Sequence, residues 1–104
     1  MIYISTGGMS CKTGFSSALD FFDNGINAVE LSGGLYSERT EQDLCKLPKE
    51  LNLQIHNYFP PPIEPFVLNL ASKNELIFDK SFKHVCSCIE LASKLGLSKY
   101  SFHG

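Results

Sequence analysis

Three side chains able to move a proton or hold an ion stand where apolar runs stop. Glu30 lies in Val29-Glu30-Leu31, His56 follows the run Leu51 to Ile55, and His103 closes Tyr100-Ser101-Phe102-His103-Gly104. Asn57 and Tyr58 follow His56 directly, adding an amide and a phenol, and Pro60-Pro61-Pro62 then restricts the backbone path. Two imidazoles at neighbouring strand ends can bind a divalent metal or hydrogen-bond a polyol. The plainer alternative is a pair of strand-end histidines bonded to backbone carbonyls, and their matching positions favour the functional reading. Glu30 could orient a histidine, act as a base or bind a metal, or it could simply pair with a lysine.

Other residues read as structural. Asn69 in Leu68-Asn69-Leu70 is expected to cap its loop through local backbone bonds. His84 is expected on a solvated helix face. Gly7-Gly8 and Gly33-Gly34 could cradle a phosphate through backbone N–H groups. Neither matches a dinucleotide or P-loop fingerprint, which favours ordinary turns.

The elements that must position these residues alternate. Ile2-Tyr3-Ile4 predicts a short strand, Phe15 to Asn24 a helix ended by Gly25, and Asn27 to Leu31 a second strand. A second helix is expected within Thr40 to Leu47, with Thr40 as cap and Pro48 as stop, and a third strand over Leu51 to Ile55. The third helix is expected from Ser81, with Phe82, Val85, Ile89, Ala92 and Leu95 as its apolar stripe and Gly96 as its stop. Leu97 to Phe102 predicts the fourth strand. The resulting βαβαβαβ order implies a parallel sheet with right-handed crossovers, whose strands all end on one edge. Glu30, His56 and His103 should share that edge.

Composition sets the bounds. The chain has 104 residues, 43% hydrophobic and 19% charged, with net charge −2: one globular domain, with no basic stripe to suggest nucleic acid. No apolar run approaches the roughly 20 residues that span a bilayer, and the N-terminus has neither a basic region nor a long apolar one. Cys11, Cys45, Cys86 and Cys88 form no C-x-x-C and are expected to be free thiols in a reducing cytoplasm. The sequence ends one residue after His103, with no helix to cover the fourth strand. Parallel strands are normally covered or closed. The expectation is a fragment, the first half of a (β/α)₈ TIM barrel, a fold of about 250 residues; a flavodoxin-like single domain is the rival, against which the abrupt end on a strand counts.

Ile55-His56-Asn57-Tyr58, Leu68-Asn69-Leu70-Ala71-Ser72, Leu95-Gly96 and Phe102-His103-Gly104 together resemble the xylose isomerase-like TIM-barrel superfamily. Its members include sugar (phosphate) isomerases and epimerases and the family 2 AP endonucleases. Val29-Glu30-Leu31-Ser32-Gly33-Gly34 resembles the second strand of the isomerase branch. The resemblance implies metal-assisted proton transfer on a sugar or sugar phosphate, with Glu30 catalytic and His56, Asn57, Tyr58 and His103 binding substrate. It also implies a divalent metal (Mn, Mg, Co or Zn) held mostly by later strands, so that these 104 residues alone should show no turnover. In the endonuclease branch His56 and His103 would instead bind zinc. The proline run after Tyr58, and the lack of a proline after His103, depart from that branch. A third alternative is a non-catalytic half-barrel that dimerises or serves as a binding module.

Overall fold

The structure, a computed structural model, describes residues 1–57 and 59–102. Four strands form one parallel sheet in sequential order: β1 (Ile4–Ser5), β2 (Ala28–Leu31), β3 (Asn52–His56) and β4 (Tyr100–Ser101). Three helices alternate with them, α1 (Gly14–Asp23), α2 (Thr40–Leu44) and α3 (Glu75–Lys94), and a 3₁₀ turn, Thr6–Gly8, follows β1. The α/β class and the parallel order are as the alternation predicts. Among the described residues no helix is long and apolar enough to cross a membrane.

The helix ends follow from local chemistry. Thr13 caps α1, its hydroxyl accepting from the Ser16 N–H at 3.1 Å. At the other end, the Gly25 N–H donates to the Phe22 carbonyl and the Ile26 N–H to the Phe21 carbonyl. That is the Schellman arrangement, and it needs the left-handed φ of +88° at Gly25. Gly96, with φ +73°, ends α3 through the same pair of bonds, from Gly96 to Ser93 and from Leu97 to Ala92.

Several boundaries differ from the expectation. Ile2 is 84% exposed and the first strand begins at Ile4, while the fourth contracts to Tyr100–Ser101. Thr40 does not cap α2; Arg39 precedes that helix without a side-chain bond, and the Thr40 hydroxyl donates to the Ser37 carbonyl. The largest correction concerns α3. It starts at Glu75, capped by the Asn74 carboxamide, which accepts from the Leu76 and Ile77 N–H groups. Ser81 lies inside the helix, fully buried, its hydroxyl accepting the Asn69 N–H at 2.9 Å. A serine that looks like a cap is the anchor of the preceding loop. The buried face is accordingly Ser81, Val85, Cys88, Leu91 and Ala92, leaving Phe82 53% and Ile89 48% exposed.

Strand parity shows where the core sits. Val29, Leu31 and Ile55 pack with Ala18 of α1, Leu44 of α2, and Leu91 and Ala92 of α3 in one cluster. All three helices therefore cover one face of the sheet. Sequential order with crossovers of one hand requires that arrangement. Phe59, 1% exposed, closes the cluster at the carboxyl edge, its ring lying over Gly14 at the start of α1. A Cβ on Gly14 would clash with that buried ring and force it to shift.

Candidate functional site

Parity that turns Val29, Leu31, Leu53 and Ile55 toward the helices turns Glu30, Gln54 and His56 the other way. Register then aligns them across strands. Glu30 pairs with Ser5 on one side and Gln54 on the other, and His56 pairs with Ser101. The face opposite the helices thus carries a polar row that climbs toward the carboxyl edge from Glu30–Gln54 to His56–Ser101.

The row is hydrogen-bonded. Gln54 Nε2 donates to Glu30 Oε2 at 2.7 Å, and both side chains are half-buried. A sequence reading that offered Glu30 a lysine missed this amide, which parity would have revealed once the register was known. Among the described residues no ion pair reaches Glu30. His56 Nδ1 lies 2.8 Å from Ser101 Oγ. The same two strands are tied by the Asn57 N–H, which donates to the Ser101 carbonyl at 2.7 Å. Gln54, Ser98, Lys99 and Ser101 line a concavity of about 410 Å³ between β3 and β4.

Asn57 is buried, 5% exposed, at the turn in which the Phe59 N–H donates to the His56 carbonyl. Tyr58 and His103 lie outside the described residues. The expected pairing of His56 with His103 is therefore represented by His56 alone. Asn69 has the structural part expected of it: its carboxamide oxygen accepts the Ala71 N–H at 2.9 Å.

At the carboxyl edge the loops after the first two strands are firmly clamped. Thr6, buried after β1, donates its hydroxyl proton to the Ser32 carbonyl and accepts the Ser32 N–H, both at 2.9 Å. This double bond joins the loops that follow β1 and β2. The glycine pairs belong to those loops: Gly7 and Gly8 end the 3₁₀ turn, and Gly33 and Gly34 take left-handed φ values of +56° and +90°.

A second cluster sits on the helix side, where the sequence suggested only a surface histidine. His84 is half-buried, edge-on to Phe66 with ring centroids 6.0 Å apart, and its Nε2 lies 3.5 Å from Cys88 Sγ. Burial pushes the Cys88 thiol up to about 11. Burial, then the Cys88 charge, raises Tyr100 as well. A thiol held protonated in this way is a poor nucleophile. The i, i+4 spacing of His84 and Cys88 was the available signal. A helix phased on Phe82 rather than Ser81 places His84 on the solvated side and obscures that signal. All four cysteines are free thiols.

The metal implied by the resemblance can be tested against these side chains. Among the described residues no group of three or more His, Cys, Asp or Glu gathers closely enough to hold one. Glu30 and His56 supply two donors on the polar face, and Glu30 already faces the Gln54 amide protons, which a cation would repel. The described residues do not fit a metal site by themselves, and no chemical step is routed through one. Compared with models of known families, with curated proteins and with solved structures, the chain matches none.

Proposed function

We propose that the chain is one side of a (β/α)₈ barrel that isomerises or epimerises a sugar or sugar phosphate. What supports the reading is the polar row on the face opposite the helices, rising toward the carboxyl ends of the parallel strands. Barrel enzymes carry their chemistry on that edge. A row of carboxylate, amide, imidazole and hydroxyl suits a polyhydroxyl ligand, which needs donors and acceptors in alternation. Glu30 is the acid–base group: its carboxylate takes the proton from the carbon next to a carbonyl, leaving an enediolate, and in an isomerisation returns it to the neighbouring carbon on the same face, whereas an epimerisation needs a second acid on the opposite face to supply that proton. His56 and Asn57 hold substrate oxygens, with Tyr58 and His103 assigned to the same task by the resemblance.

The test is a titration of the ¹⁵N-labelled protein with aldoses, ketoses and their phosphate esters. The Gln54 side-chain amide and the His56 ring should shift with at least one of them, and the response should be lost in His56→Ala. Absence of any sugar response, together with zinc-dependent nicking of abasic duplex DNA, would replace this reading with phosphodiester hydrolysis.

A further inference from the structure

We infer that a cavity at the amino end of the sheet binds a small amphipathic anion, an aliphatic chain ending in a carboxylate. Its volume, about 490 Å³, lies within the roughly 300–1,000 Å³ of small-molecule pockets. Tyr3, Leu51 and Leu97, which line it, precede β1, β3 and β4. The cavity is therefore on the edge away from His56 and Ser101, and the polar row has no part in it.

Its walls continue the core. Leu44, Leu47 and Leu51 belong to the buried cluster, while Leu53, Leu95 and Leu97 pack against that cluster and stay half-buried. Apolar surface that the fold leaves partly in water is thus gathered inside a concavity. A hydrocarbon chain seated there removes it from water, and the gain grows with each methylene. The walls are also fixed beforehand. The Leu47 and Leu51 N–H groups donate to the Leu44 and Pro48 carbonyls, and Asn52 donates twice to the Asn27 carbonyl. The Leu97 N–H closes the end of α3. Little ordering is then left for a ligand to impose.

Charge at the rim selects the head group. Among the described residues that line the cavity, Lys49 and Lys94 are charged, and neither aspartate nor glutamate appears. Lys94 is shared with Glu41, whose carboxylate lies 3.4 Å from its Nζ, and it also offsets the negative pole at the end of α3. No ion pair among the described residues reaches Lys49, which is exposed. A carboxylate at the rim gains Lys49 as its partner while its head stays in water. A neutral or cationic head gains none.

Cys45 lies on the same rim, exposed, and reports on occupancy. The experiment follows its alkylation by iodoacetamide, read by peptide mapping, in protein titrated with octanoate, decanoate or decanol below their aggregation limits. Exposed Cys11, which does not line the cavity, is the internal control, and unlabelled Cys88 shows that the fold is intact. Decanoate should slow labelling of Cys45 and leave Cys11 unchanged. Octanoate, two methylenes shorter, should need about tenfold more for the same protection. Lys49→Gln should weaken decanoate about threefold, as for an exposed charge pair, and leave decanol unchanged, while Lys49→Arg keeps the wild-type response. Absence of protection, equal protection of Cys11 and Cys45, or a Lys49→Gln that leaves decanoate unaffected overturns the inference. None of these readings involves the carboxyl edge, so the inference stands or falls apart from the sugar reading above.

Discussion

Replacing Gln54 by glutamate converts the 2.7 Å amide–carboxylate bond to Glu30 into a contact between two carboxylates. At that separation two unit charges repel by about 1.5 kcal/mol at the dielectric of water and about 6 kcal/mol at an effective value of 20. Both side chains are half-buried and can swing apart, so the lower end governs, and with the lost hydrogen bond the expected cost at pH 7 is about 2–3 kcal/mol. The deficit must depend on pH. Two adjacent carboxylates in the folded variant share a proton that the separated groups of the unfolded chain release near about pH 4.3. Between those points the folded state binds more protons, so stability falls as pH rises. At pH 4 the shared proton restores a bond between the two groups and the deficit should shrink below about 1 kcal/mol. Urea unfolding of wild type and Gln54→Glu at both pH values measures this, with Gln54→Leu as the uncharged control. Equal deficits at pH 4 and pH 7, or a deficit untouched by 1 M salt at pH 7, would refute the proximity on which the polar row depends.

Two further outcomes follow from the helix side. Phe59→Ala should destabilise the fold by about 3–5 kcal/mol in the same unfolding assay, because the ring fills the core over Gly14 and leaves a cavity behind. Cys88 should resist alkylation at pH 8 in the folded protein while exposed Cys11 and Cys45 react, as peptide mapping after labelling would show. Its thiol is raised in the folded state from an ordinary value of 9.0 to about 11. Its stabilising contribution is therefore complete below pH 9 and should be lost as pH rises from 9 through 11.

How much of this was legible in the sequence depended on whether the signal was local. The strand–helix alternation, the Schellman glycines at 25 and 96, and the structural part of Asn69 all rest on residues a few positions apart. Ser81 misled because a serine before an apolar run is a good cap on local grounds. Only the contact with Asn69, 12 positions away, reveals it as an anchor inside the helix. That error displaced the apolar stripe toward Phe82 and Ile89 and hid the contact of His84 with Cys88. The polar row was half legible. Glu30 and His56 stood out by type, but Gln54 and Ser101 are ordinary residues until the register sets them opposite an acid and an imidazole.

The sequential strand order bears on how the site is assembled in time. Glu30 and Gln54 are 24 positions apart, His56 and Ser101 45. Closing the longer loop costs roughly 0.6 kcal/mol more entropy, and β4 adds only two residues of pairing in return. Within these four strands the pairing of β4 on β3 is therefore easily opened, with hydrogen exchange at Ser101 outpacing that at Val29 and Leu31. The His56 imidazole meets the Ser101 hydroxyl only while β4 is paired with β3.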